Sequence, residues 1–224
     1  MEPTDRPRVK ICCISSVEEA KLAIRYGASA LGLVSEMPNC SGVVSEALIA
    51  QVAGMVPPSV SSFLLTNKHN ALEIRAQQRR LGVNTIQICD QLQFGTYEDL
   101  RQTLPGIDLV QVIQVRGVES IEEAVAVAPH VSGLLLDAGS RDLSVTEVVA
   151  TEPICDWEIS RRIRELVEVP VFLAGGLNPD NVTTAIEQVK PFAVNVGEGI
   201  RTHGKLDEDK LSKFVSQVWM AAGN

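Results

Sequence analysis

Short apolar runs alternate with amphipathic helical patterns along the whole chain, and this alternation constrains the fold more than any other feature. Strand-like runs fall at residues 9–14, 30–34, 60–65, 85–89, 109–113, 131–136, 169–173 and 192–196. They are mostly Val, Ile and Leu, and turn residues bound them. Helical patterns follow at 17–26, 45–54, 70–81, 97–104, 121–128, 156–166, 182–189 and 207–220. Ser16, Ser45, Ser120 and Asp156 stand where N-caps belong, and Gly27 and Gly82 where helices stop. Glu19 and Glu123, each three residues after a capping serine, predict capping boxes. The units recur roughly every 25 to 30 residues with no linker between them. Alternating βα units make a parallel sheet, and eight of them in 224 residues predict one α/β domain, a closed (β/α)8 TIM barrel over residues 9–224. A doubly wound open sheet is the competing arrangement, but no Gly-x-Gly-x-x-Gly follows the first strand. Residues 1–8 are polar, contain proline and carry no signal-peptide pattern, so a short flexible tail is expected there.

The last two strand-to-helix turns carry glycines. Ala174-Gly175-Gly176-Leu177 follows the seventh strand, and Gly197-Glu198-Gly199 follows Asn195-Val196 in the eighth. Asn178 and Pro179 predict the N-cap and first position of the helix after Gly176. Glycines let the backbone approach a ligand closely, and unpaired N–H groups at a helix N-terminus favour an anion. The loops after strands seven and eight are also where barrels of this kind commonly hold phosphate. A net charge of −8 argues against a nucleic-acid or anionic-membrane surface, but not against a phosphate held by backbone amides. No apolar run approaches the roughly 20 residues that span a bilayer. The 5 cysteines and 3 histidines follow no zinc spacing or disulfide framework, so no metal is expected and a reducing cytoplasm is the expected compartment.

Chemistry in such a barrel belongs at the C-terminal ends of the strands. Alternation puts Lys10 and Cys12 on one face of the first strand, which is polar for a barrel interior. A nearby ammonium favours thiolate over thiol and fits Cys12 for a base or nucleophile; Cys13 reads as a small buried apolar residue. The sixth strand, Leu134-Leu135-Leu136, ends on Asp137. Desolvation there would raise a carboxyl's pKa and suit it to donate a proton, although such a residue can equally cap the following loop. A base on strand one and an acid on strand six face each other across the barrel mouth, above a phosphate anchor. That is an arrangement for moving protons on a sugar phosphate.

These motifs, taken in order, resemble the phosphoribosylanthranilate isomerase family of tryptophan biosynthesis. The resemblance rests on Val9-Lys10-Ile11-Cys12, Gly32-Leu33-Val34, Leu134-Leu135-Leu136-Asp137, Asp156-Trp157, Phe172 to Leu177 and Pro191 to Asn195, and so covers nearly the whole chain. It implies a (β/α)8 barrel without cofactor or metal that rearranges an aminoaldose to an aminoketose, the Amadori rearrangement. It implies that Asp137 is the general acid that opens the ribose ring, and that Cys12 is the general base that takes the C2 proton. The ligand implied is a small sugar phosphate, held by Gly175, Gly176, Gly197 and Gly199 with Lys10 and Asn195 among the binding residues. The family contains monomers and homodimers.

The chain departs from the family's pattern in five places. The family's Cys-Gly is Cys12-Cys13 here. A Ser-Pro-Arg segment, whose arginine helps hold the anthranilate carboxylate, is replaced by Asn39-Cys40-Ser41-Gly42. Gln-Leu-His-Gly becomes Gln87-Ile88-Cys89-Asp90. A mobile Gly-Gly-Thr-Gly loop becomes Val149-Ala150-Thr151-Glu152-Pro153, which predicts a stiffer lid. Asp-Val-Ser-Ser-Gly becomes Asn195-Val196-Gly197-Glu198-Gly199, with Arg201 nearby either to offset Glu198 or as a solvated charge. Two alternatives follow: an isomerase for a different sugar-phosphate amine, or a catalytically impaired barrel that binds a phosphate ligand or a partner. A thiamine-phosphate-synthase-like enzyme fits less well, since no carboxylate cluster for magnesium is evident.

Overall fold

A computed structural model describes residues 6–38, 40, 42–137 and 157–221. Eight parallel strands, β1 (Arg8–Ile11), β2 (Ala30–Val34), β3 (Ser61–Thr66), β4 (Thr85–Ile88), β5 (Asp108–Gln114), β6 (Gly133–Asp137), β7 (Val171–Leu173) and β8 (Ala193–Val196), close into a barrel in sequence order. Closure is the pairing of β1 with β8, in the register Lys10 opposite Asn195. This excludes the open sheet. β1 begins at Arg8, whose N–H donates to Phe192 O at 3.0 Å, so the barrel starts one residue inside the stretch read as a tail.

Helices α1 (Val17–Arg25), α2 (Glu46–Met55), α3 (Ala71–Leu81), α4 (Tyr97–Thr103), α5 (Glu119–Val127), α6 (Trp157–Leu166), α7 (Val182–Val189) and α8 (Glu208–Ala221) surround the strands. None of the described helices is long and apolar enough to cross a membrane. Caps explain several helix starts: Ser16 accepts from Glu19 N at 3.1 Å, Ser45 from Leu48 N at 3.3 Å, and Asn70 from Leu72 N at 2.9 Å. Thr96 and Asp99 form a full capping box.

Three expected caps differ. The Glu19 carboxylate reaches Ser15 N rather than Ser16 N, so the box at α1 is half built. Ser120 lies inside α5 and bonds to Gln114 O at 3.0 Å, tying the helix to the end of β5 instead of capping it. Helix α7 starts at Val182 after Asn181, not after Asn178. Asn178 and Asn181 instead fold the preceding turn: Asn178 Oδ1 accepts from Asp180 N, and Asn181 Oδ1 from Asn178 N, both at 2.8 Å. Asp156 and the expected lid at 149–153 lie outside the described residues, as do Asn39 and Ser41.

Strand alternation divides the core. Outward-facing residues such as Ile11, Leu31, Leu64, Ile86, Leu134 and Val194 pack under the helices. The barrel interior holds Phe63, Leu65, Val110, Val112, Leu135, Phe172 and Ala193, with Phe172 edge-on to Phe63 (5.6 Å) and to Phe192 (5.7 Å). Two consecutive two-residue strands, β9 (Arg201–Thr202) and β10 (Lys205–Leu206), form a small hairpin before α8. Its strands are too short to show a period in sequence.

Candidate active site

A cavity of about 940 Å³ opens at the C-terminal ends of the strands. Cys12 from the end of β1 and Asp137 from the end of β6 both line it. So do Gly175, Gly176, Asn195, Gly197 and Gly199, and the cysteines Cys13, Cys40 and Cys89. Lys10 does not. It is fully buried one layer below, where Nζ donates to Gln87 Oε1 at 2.9 Å and to Asn195 Oδ1 at 2.7 Å, 4.9 Å from the centre of the Phe63 ring. A buried ammonium needs such partners, and these occupy it. Lys10, expected among the substrate- and phosphate-binding residues, lies beneath the cavity lining, with Cys12 Sγ 4.0 Å from Nζ. Gly32 opposite makes this possible, since a Cβ there would come within 2.8 Å of Cys12 Sγ and 3.2 Å of Lys10 Nζ. Alternation places Gln87 and Asn195 inward by the same rule that places Lys10, so a polar residue inside an apolar strand was the available signal for this network.

The Cys12 thiol is pulled down from an ordinary value of 9.0 to about 6. The Cys13 thiol donates to its sulfur, burial opposes, and the Lys10 ammonium and the Cys13 N–H then favour the thiolate. Asp137 is near enough to oppose weakly. Cys13, as donor, is pushed far up. It is thus the thiolate's partner and not only an apolar filler. Its φ is +59°, a left-handed conformation that glycine adopts freely and a β-carbon resists. Burial pushes the Cys89 thiol up to about 12, so among Cys12, Cys13 and Cys89 it is Cys12 that is poised to ionise near neutrality.

The glycine turns form the stretch of wall between Asp137 and Cys12, because β7 and β8 lie between β6 and β1 in the closed barrel. Gly175 and Gly176 both have positive φ (90° and 62°), and their N–H groups donate to no partner among the described residues. Asn178 Nδ2 and Asn181 Nδ2 hold the turn from behind through Gly176 O, at 3.3 and 2.9 Å. Gly199 lies in a short 3₁₀ turn, Glu198–Ile200, where a Cβ would come 2.1 Å from Leu177 O. Glycine there lets the two turns abut. Glu198 is exposed at the rim. Arg201 is not a solvated charge: the guanidinium is buried and paired with Glu19 at 3.1 Å. Among the described residues the cavity lining includes no Lys or Arg, and no three His, Cys, Asp or Glu are gathered as metal ligands would be.

A family model described as N-(5'-phosphoribosyl)anthranilate isomerase matches residues 9–217. An N-(5'-phosphoribosyl)anthranilate isomerase of Methanosarcina mazei is 34% identical over 213 residues, covering 94% of this chain and 93% of its own. The crystal structure of phosphoribosyl anthranilate isomerase from Thermotoga maritima superposes with a TM-score of 0.79 at 26% identity, covering 96% of this chain and 99% of that one. A structure of such an isomerase in complex with reduced 1-(o-carboxyphenylamino)-1-deoxyribulose 5-phosphate gives a TM-score of 0.77 at 26% identity, with the same coverage. With a family match across nearly the whole barrel, this chain belongs to the N-(5'-phosphoribosyl)anthranilate isomerase family.

Proposed function

We propose that the protein isomerises N-(5'-phosphoribosyl)anthranilate to its aminoketose in tryptophan biosynthesis, with Asp137 as general acid and Cys12 as general base. One observation carries the assignment: Cys12 and Asp137, from strands five apart in sequence order, line one cavity, and the pair of glycine turns forms the wall between them. The phosphate would sit on the amides of Gly175, Gly176, Gly197 and Gly199, which fixes the ribose between acid and base. Asp137 gives its proton to the ring oxygen as the C1'–O bond breaks, and the nitrogen lone pair forms a C1'=N iminium. The Cys12 thiolate then removes the C2' proton. The electrons of that C–H bond form a C1'=C2' enol amine, which tautomerises to the ketone. Thiolate and carboxylic acid are the two protonation states this order requires, and Lys10 beneath Cys12 favours the first.

The test is turnover and complementation. The wild-type protein should turn over phosphoribosylanthranilate and restore growth to a tryptophan auxotroph lacking this isomerase. Cys12→Ser and Asp137→Asn should each lower kcat by about 10²-fold or more while unfolding at near-wild-type temperature. A variant that keeps the wild-type rate removes that residue's role. The lack of Lys or Arg on the described lining favours, as a second reading, an amine substrate without a carboxylate. Comparing kcat/KM for anthranilate and aniline derivatives decides between the two.

A further inference from the structure

We propose that Arg201 is a positioning residue for Cys12: it grips the backbone of the corner that carries the thiol, and it does so because Cys13 makes that corner strained. The proposal rests on the reading of Cys12 as the base. After Ile11 the chain leaves β1 through Cys12 and Cys13 and turns toward α1. The left-handed φ of +59° at Cys13 persists only where surrounding contacts impose it.

Those contacts converge on one side chain. Arg201 Nη2 donates to Cys13 O at 2.5 Å and to Cys12 O at 3.3 Å. It also meets Glu19 Oε2 at 3.1 Å, while Nη1 meets Glu19 Oε1 and Gly204 O, each at 3.1 Å. Glu19 in turn accepts from Ser15 N and Leu206 N, both at 3.0 Å. One ion pair thus joins the corner after β1, the first turn of α1 and the hairpin after β8. The Arg201 side chain is 3% exposed and absent from the cavity lining, so it does not meet the substrate. Its buried Nε has no partner among the described residues, a cost the fold accepts with both Nη groups committed to these contacts. A planar fork can satisfy three carbonyls and a carboxylate together, which a lysine ammonium on its flexible stem cannot do in the same geometry.

If Arg201 serves mainly to impose the Cys13 conformation, its loss should matter less where that conformation costs nothing. Glycine supplies that condition. The experiment compares wild type, R201Q, C13G and the double variant by two readouts. One is kcat and KM on phosphoribosylanthranilate. The other is the rate of Cys12 alkylation by iodoacetamide, followed by peptide mass spectrometry, which reports on the thiol without turnover. R201Q should lower kcat and Cys12 alkylation by about tenfold or more with KM within about twofold. In the C13G background the same substitution should change both by less than about threefold. Equal losses in both backgrounds would make Arg201 a structural ion-pair residue only. A raised KM with unchanged kcat would place its effect on the phosphate turns instead. R201K, which keeps the charge beside Glu19 but not the fork, is the variant to use should R201Q fail to fold; wild-type kcat in R201K overturns the proposal. If the wild-type protein shows no turnover, the alkylation comparison still decides the role of Arg201, and it is the assigned reaction that fails.

Discussion

At Cys12 burial and polar neighbours oppose each other, and the neighbours win. The donor hydrogen bond from Cys13 is the largest influence, burial pushes the other way, and Lys10 adds to the first; the result is a thiol near 6. The sign for activity follows directly. The base is the thiolate, so its working fraction rises as pH climbs through about 6 and is nearly complete a unit above. The acid limb of kcat/KM should therefore fall near pH 6. In Cys13→Gly the strongest acid-strengthening contact is gone, and the limb should move up by a unit or more, toward the ordinary 9.0. A pH–rate profile, with thiolate absorbance as a direct titration, checks both; an unshifted limb in C13G denies Cys13 that part. Lys10→Met should also raise the limb. It strips the donor from Gln87 Oε1 and Asn195 Oδ1 and should cost about 1 to 3 kcal/mol in urea unfolding. Much of this was legible in the residues: a period of two puts Lys10 and Cys12 on one face without any structure. Depth was not. Alternation says which way Lys10 points, but not that its ammonium bonds to Gln87 and Asn195 beneath the cavity lining.

At the scale of elements, the clamp between α1 and the β9–β10 hairpin is what the periodic pattern could not reveal. Arg201 and Glu19 are 182 residues apart, and neither strand of the hairpin exceeds two residues. The eight strand and helix units were legible because each buries a regular face, whereas a long-range ion pair leaves no local period. Misplaced caps have a similar cause: Asn178 and Ser120 are capping types in capping positions, but a longer Asn turn and the end of β5 claimed their side chains. The clamp predicts a measurable stability. Burial raises the Glu19 pKa, but hydrogen bonds from Arg201, Leu206 N and Ser15 N outweigh it and leave the group below its ordinary 4.5. A carboxylate depressed in the folded state stabilises above its unfolded value, and that contribution is lost as pH falls through the folded one. Glu19→Gln breaks a pair whose side chains are 13% and 3% exposed and should cost about 3 kcal/mol at neutral pH. Urea midpoints of variant and wild type should converge as the pH is lowered below 4.5. A constant gap would mean that shape rather than charge holds the hairpin.

For the whole molecule the question is how a chain of net charge −8 admits a substrate with two anionic groups, a phosphate and a carboxylate. The described wall makes this harder, for Asp90 and Glu198 line the cavity beside the general acid Asp137 and no described Lys or Arg does. A phosphate held by amides gains from dipoles at contact range, which salt hardly screens, while the protein's overall charge repels it at long range, which salt does screen. The two contributions therefore separate with ionic strength. Between about 0.01 and 0.15 M the Debye length falls from roughly 30 to 8 Å, so the repulsion fades while the contacts remain. KM for phosphoribosylanthranilate should fall by about twofold over that range, and kcat should stay level. Potassium acetate and potassium chloride should give the same curve, which separates screening from competition by a bound anion. A site held by cationic side chains would do the reverse, since salt weakens charge-on-charge attraction and KM would climb. A steady rise of KM in both salts would mean that cations outside the described lining reach the substrate and carry its binding, and that the glycine turns serve only to let the two loops pack.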